Sequence, residues 1–199
     1  MKHIFKQGDQ NKPVFLLLHG TGGTENDLLP IAEKIDPQAS VLSVRGNVNE
    51  NGLNRFFKRL AEGVFDEVDL VKQTQDLYTF LDEAAEQYDF DRDNVIAIGY
   101  SNGANIAGSL LFHYKKALKA AILHHPMVPI RNIELPDLTG TAIFIGAGEN
   151  DPLISIQESN ELAETLKKNG AAVNLHWENK GHQLSFTEIE AAIKWYQSL

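Results

Sequence analysis

The sequence predicts an α/β fold: a mostly parallel central sheet with helices on both faces and no lid domain. Three observations carry this. Continuous apolar runs such as Val14-Phe15-Leu16-Leu17-Leu18 suit strands buried on both faces, as parallel sheets require. These runs alternate with longer segments whose apolar residues recur at helical spacing, the pattern of strand–helix–strand units. Clusters of glycine and polar residues then fall just after strands, where open α/β sheets hold their ligands. With 199 residues, 43% of them hydrophobic, the chain can bury one substantial core. No repeat, low-complexity tract or long linker divides it, so 1–199 reads as a single domain.

Taken in order, His3–Lys6 is expected to add an antiparallel edge strand, and Val14–Leu18 is the first buried strand. A helix is expected over Glu25–Ile35, a strand over Ser40–Val44, then a long loop from Arg45 to Asp66. The next helix, Leu70–Tyr88, sets Leu70, Thr74, Leu77, Leu81, Ala84 and Tyr88 on one face. Asn94–Ile98 is a short buried strand, followed by a helix over Ala104–Tyr114 with Ile106, Ala107, Leu110, Leu111 and Tyr114 apolar. Ala120–Leu123, Thr141–Ile145 and Val173–Trp177 are further strands; Ile154–Lys168 and Ser185–Gln197 are further helices.

Between the Asn94–Ile98 strand and its helix stands Gly99-Tyr100-Ser101-Asn102-Gly103, a G-x-S-x-G turn in the strand-to-helix setting of a nucleophile elbow. The glycines allow close approach of strand and helix. The helix N-terminus behind Ser101 offers free N–H groups and a favourable dipole to an oxyanion. The other polar clusters at strand ends are His19-Gly20-Thr21-Gly22-Gly23, Gly148-Glu149-Asn150-Asp151-Pro152 and Lys180-Gly181-His182. Together they hold a serine, an acid and a histidine in the order Ser, Asp, His. Serine needs a base to take its proton, and neutral imidazole serves near pH 7, so His182 is the expected base. An acid must orient that imidazole and stabilise the imidazolium. Asp151 is expected there, its Asp-Pro turn leading into a helix, with Glu149 as the rival. Two oxyanion donors are expected: the backbone N–H groups of Asn102 and Thr21.

Other histidines have plainer readings. His19 is expected to position the oxyanion loop, and His176 lies inside a strand. The adjacent His124 and His125 invite a metal, but no carboxylate or third histidine stands at ligand spacing, so they read as structural or pocket-lining and no metal is called for. Gly20-Thr-Gly-Gly-Thr-Glu25 fails the dinucleotide pattern because Glu25 occupies the last glycine position, and no phosphate-binding loop of the Gly-Lys type occurs. No cofactor is implied. The Arg45–Asp66 loop carries Arg45, Arg55, Lys58, Arg59, Phe56, Phe57 and Phe65. Two readings stand. Arg55, Phe56, Phe57 and Arg59 form a substrate-binding wall with a cation at its mouth, or the segment is a short surface helix packing its phenylalanines.

A net charge of −9 with scattered basic residues argues against nucleic acid or an anionic membrane as a partner. The N-terminus lacks a signal-peptide apolar run, no stretch reaches membrane-spanning length, and the chain has no cysteine. These point to the cytoplasm and leave monomer and homodimer both open.

The four strand-end clusters, in order and spacing over nearly the whole chain, resemble the small, lidless carboxylesterase/phospholipase branch of the α/β-hydrolases, which includes the acyl-protein thioesterases and bacterial carboxylesterases. Ser43-Val-Arg-Gly-Asn47 and Arg55-Phe-Phe-Lys-Arg59 to Phe65-Asp66 bring the chain nearer to bacterial hydrolases of hydroquinone and quinone resistance. The resemblance implies a catalytic triad of Ser101, Asp151 and His182, with oxyanion donors at Thr21 and Asn102. It implies a small-molecule ester as substrate and a role in detoxifying quinone-related aromatic compounds. Thioesterase, lactone hydrolase and non-catalytic binding protein are the alternatives. The thioesterases typically carry glutamine after the nucleophile, where this chain has Asn102. The dienelactone hydrolases are also similar in fold but use a cysteine nucleophile.

Overall fold

The structure is a computed structural model that describes residues 1–199. In chain order its elements are β1 (His3–Lys6), β2 (Val14–Leu18), α1 (Leu29–Ile35), β3 (Ser40–Val44), β4 (Val48–Glu50), β5 (Leu53–Arg55), β6 (Arg59–Ala61), β7 (Val64–Phe65) and α2 (Glu67–Tyr88). There follow β8 (Val95–Tyr100), α3 (Asn102–His113), β9 (Ala120–His124), β10 (Ala142–Gly148), α4 (Ile156–Lys168), β11 (Ala172–Glu178) and α5 (Phe186–Tyr196). Seven strands form the central sheet in the order β1-β3-β2-β8-β9-β10-β11. Every pairing is parallel except β1 with β3, so His3–Lys6 is the expected antiparallel edge. No helix is long and apolar enough to cross a membrane.

Both faces of the sheet are covered, and strand alternation divides the core in two. Leu16 and Leu18 of β2 face one side with Leu42, Ala97 and Leu123, under α2, α3 and α4. Phe15 and Leu17 face the other with Ile96, Ile98, Ile122 and Phe144, under α1 and α5. This double burial is why the strands read as unbroken apolar runs. Strand order reverses between β2 and β8, since β3 and β1 lie to one side and β9, β10 and β11 to the other. A crevice opens at such a switch point outside the carboxyl ends of the two strands, beside Thr21 and Ser101.

Two segments differ from expectation. The first helix begins at Leu29 rather than Glu25, with Pro30 in its first turn, where the missing N–H costs nothing. Glu25 is instead drawn inward to an ion pair with Arg45, backed by Lys2 at 3.3 Å. The Arg45–Asp66 loop is not a helix but two hairpins, β4–β5 and β6–β7. Asn51 and Gly52, both at positive φ, make the first turn, the conformation that Asn-Gly favours. Asp66 then caps α2 by accepting the Asp69 N–H at 3.1 Å, which starts that helix three residues earlier than its apolar pattern does.

Candidate active site

Ser101 stands between β8 and α3 at φ 50° and ψ −111°, a sparsely populated conformation that the surroundings must impose. The motif glycines show how. A Cβ on Gly99 would lie 2.7 Å from the Ala104 backbone, and one on Gly103 would lie 1.9 Å from the Leu18 carbonyl oxygen. Only glycine lets α3 sit this close to β2 and β8. The Ser101 N–H donates to the His124 carbonyl at 2.8 Å, tying the turn to β9.

His182, from the turn after β11, places Nε2 2.9 Å from Ser101 Oγ and Nδ1 2.7 Å from Asp151 Oδ2. With its Nδ1–H donated to the carboxylate, Nε2 is left to accept the serine proton. Asp151 Oδ1 accepts the backbone N–H groups of Leu153 at 2.8 Å and Ile154 at 3.2 Å. Burial pushes the Asp151 carboxyl upward, but hydrogen bonds from His182, Leu153 and His125 outweigh it and hold its pKa below the ordinary carboxylate value. Tyr100 donates its hydroxyl to the His182 carbonyl at 2.7 Å, steadying the loop. Glu149 is exposed, and it is Asp151 that meets His182.

Asn102 is the first residue of α3, where backbone N–H groups have no intrahelical acceptor. Thr21 follows β2 across the crevice. The β4–β5 hairpin binds both sides. Arg55 Nη1 donates to Thr21 Oγ1 at 2.6 Å, the Gly22 N–H to the Asn54 carbonyl at 2.8 Å, and the Phe56 N–H to Asn102 Oδ1 at 2.7 Å. The Asn102 side chain thus anchors the hairpin, while its Nδ2 is buried without a partner. His19 donates from Nδ1 to the Gly20 carbonyl at 2.6 Å and accepts the Gly46 N–H at Nε2, 3.1 Å away. Both ring nitrogens are occupied, so neither is bonded to Ser101, and burial pushes the His19 pKa below the usual histidine value.

A cavity of about 530 Å³ opens in front of Ser101, walled by Arg55, Arg59, Phe65, Met127, Leu153 and Ile154 among others. Phe56 and Phe57 do not line it. Both are fully buried in the core beneath, Phe56 against His19 and Phe57 edge-on to Phe65, because the hairpins turn these side chains inward. They do not form the expected substrate wall; Phe65, Met127, Leu153 and Ile154 supply the apolar surface instead. Arg59 is at the cavity but paired with Glu50 at 3.0 Å, and Arg55 is buried between Thr21 and the Phe57 carbonyl.

Behind Asp151 lies an array that sequence spacing concealed. His125 Nδ1 lies 3.1 Å from Asp151 Oδ2 and its Nε2 3.0 Å from Glu188 Oε2; Glu188 Oε1 meets His124 Nδ1 at 2.5 Å. His124, His125 and Glu188 are buried. The two histidines therefore do have carboxylate partners, brought by tertiary contact. Glu188 could have been suspected only as an acid in the Ser185-x-x-Glu188 capping-box pattern of α5, and its carboxylate goes to the histidines instead of back to the helix start. One ligand atom each of His125, Asp151 and His182 lies within 4.8 Å of the others, a metal-sized cluster, yet these atoms already satisfy one another by hydrogen bonds.

Relatives agree with this architecture. The Bacillus subtilis (strain 168) protein MhqD, named as a hydrolase, is 60% identical over 197 residues, covering 99% of this chain and 98% of that one. A carboxylesterase of Bacillus cereus has the same fold at TM-score 0.99 with 62% identity, covering 100% of this chain and 94% of the other. A carboxylesterase from Mesorhizobium loti superposes at TM-score 0.90 with 27% identity, covering 96% and 91%. The protein is thus a hydrolase of carboxylesterase type on an α/β-hydrolase fold without a lid. Residues 48–196 match the dienelactone hydrolase family, so the missing cysteine does not set the chain apart: it belongs to the dienelactone hydrolase family.

Proposed function

We propose that the protein cleaves small carboxylic esters through an acyl-enzyme on Ser101. His182 Nε2 takes the hydroxyl proton as Oγ attacks the ester carbonyl, and Asp151 stabilises the resulting imidazolium. The Asn102 and Thr21 N–H groups receive the oxyanion. His182 then protonates the leaving alcohol, activates water against the acyl-serine, and returns the proton to Ser101 as the acid departs. The observation that carries this reading is the unbroken chain Ser101–His182–Asp151 at 2.9 and 2.7 Å, set at the N-terminus of α3. A fluorophosphonate probe tests it: modification at Ser101, lost in Ser101→Ala, supports an acyl-enzyme. An unreactive serine in folded protein would identify a binding protein instead.

Lactones are a second substrate class within the same chemistry, favoured by the dienelactone hydrolase match. The cavity, with Phe65, Met127, Leu153 and Ile154, suits a compact aromatic or aliphatic group, in keeping with quinone-related aromatic esters. Initial rates on aryl esters, alkyl esters, thioesters and lactones separate these classes.

A further inference from the structure

The geometry points to His125 and Glu188 as positioning residues: Glu188 holds His125 as a buried imidazolium that grips Asp151 opposite His182, and this charge favours the free-base form of the catalytic histidine. The inference rests on the triad reading above.

The protonation of His125 follows from its partners. Its two ring nitrogens face oxygens of two different carboxylates, at 3.1 and 3.0 Å. Ionised carboxylates only accept hydrogen bonds, and a neutral imidazole has one donor, so one of the two contacts would set a lone pair against a lone pair. Protonated, His125 donates to both. Burial opposes the charge, yet the bonds and charges of Glu188 and Asp151 prevail and raise its pKa above the usual histidine value. His124 completes the arrangement: its Nδ1 meets Glu188 Oε1 at 2.5 Å, and its Nε2 is buried without a partner.

The arrangement is built into the backbone. His125 has φ 52°, and its N–H donates to the Gly146 carbonyl at 2.7 Å. Gly146 has no room for a side chain, since a Cβ there would lie 1.9 Å from Glu188 Oε1. The glycine clears the surface of β10 for the carboxylate that α5 brings across.

The electrostatic effect on His182 depends on every charge that faces the pair. Asp151 comes from the turn after β10 and Glu188 from α5; His124 ends β9, and Tyr100 of β8 stands edge-on to His125 with centroids 6.1 Å apart. Beyond Glu188 lie Glu178 and His176 of β11, paired with each other at 2.9 Å. His125 stands beside His182, ring centroids 5.1 Å apart. With Asp151 and Glu188 ionised and His125 protonated, this buried group carries one net negative charge. It becomes neutral when His182 takes the serine proton. Without His125 two carboxylates would favour the protonated base before substrate arrives, and Asp151 would lose one of the bonds that aim it.

The test compares kcat/KM against pH for the wild type, His125→Gln and Glu188→Gln on a nitrophenyl ester. His125→Gln should move the acid limb to higher pH by about one unit or more, as removing a charge at this range does. Its plateau kcat should fall about tenfold to a hundredfold with KM little changed, as misaligned catalytic groups do. Glu188→Gln should move the limb in the same direction and less, because His125 then sheds its proton and the nearer charge dominates. A limb that stays in place in both variants while melting temperature falls would make the array mere packing and overturn the proposal; so would a limb displaced to lower pH. Nitrogen-15 NMR of histidine-labelled wild-type protein gives a readout free of variant folding and of activity. One ring should keep both nitrogens protonated above pH 6.5, the ordinary histidine value, and a set of rings that are all neutral just above that pH would refute the assignment. Fluorophosphonate labelling of Ser101 in the same samples separates failure of the array from failure of the triad.

Discussion

At the scale of single residues, the site turns on positions where only one side chain fits. Ser101→Ala leaves the elbow backbone in place but removes the proposed nucleophile, so kcat should drop about 10⁴- to 10⁶-fold with melting temperature nearly unchanged. Residual turnover above a tenth of wild type in pure protein would end the assignment. Gly103→Ala should behave in the opposite way. Its Cβ would enter the Leu18 carbonyl at 1.9 Å, and neither backbone can yield without moving α3 off the sheet. A loss of about 1–3 kcal/mol in urea unfolding is expected, with activity lost alongside. The pair separates chemistry from scaffold: one variant is stable and inactive, the other unstable and inactive.

At the scale of elements, the β4–β5 and β6–β7 hairpins divide the work expected of one loop. Arg55 and Phe56 hold Thr21 and Asn102, the proposed oxyanion donors, whereas Phe65 faces the cavity. Arg55→Ala should therefore lower kcat on neutral and anionic esters alike, since it removes the support of Thr21 rather than a substrate contact. A loss confined to anionic esters would mean that the guanidinium binds substrate directly. Phe65→Ala should reorder ester preference by about 1–3 kcal/mol in kcat/KM, while Phe57→Ala should cost about 3–5 kcal/mol of stability and reduce all esters in parallel. The phenylalanines were legible as apolar; which of them faced the cavity was not. Two adjacent residues in a short hairpin segment have no long period to fix their direction, and their burial is decided by contacts with His19 and Phe65.

For the molecule as a whole, legibility follows the reach of the interactions. Strands β2, β8, β9 and β10 could be seen because burial on both faces leaves an apolar run in the sequence itself, β3 because its serines are few among apolar residues, and β11, a partly exposed edge strand, by Val173, Leu175 and Trp177 at alternate positions. Ser101, Asp151 and His182 could be singled out because each follows such a strand, and the fold gathers strand ends at one edge. The array behind them could not: His125 and Glu188 are 63 residues apart, and Glu188 sits where a helix cap accounts for it. That array also ties stability to pH. Burial pushes Glu188 upward, but the bonds from His124 and His125 bring its pKa down to about 2 from the usual 4.5. A depressed carboxylate stabilises the fold fully above its unfolded value, and loses that contribution as pH falls from about 4.5 through about 2. His125 is raised above 6.5, so its contribution is complete below that value and fades as pH climbs through its folded pKa. The two together predict a plateau of stability between about pH 4.5 and 6.5, with separate losses on either side. Urea unfolding from pH 2.5 to 9 measures it, and Glu188→Gln should flatten the acid slope while lowering the plateau. If the acid slope persists unchanged in that variant, other carboxylates carry it: Glu25, Asp36 and Asp151 are also buried and held below their ordinary values by their hydrogen-bond partners. The plateau would then record the charge balance of the whole fold rather than of the array.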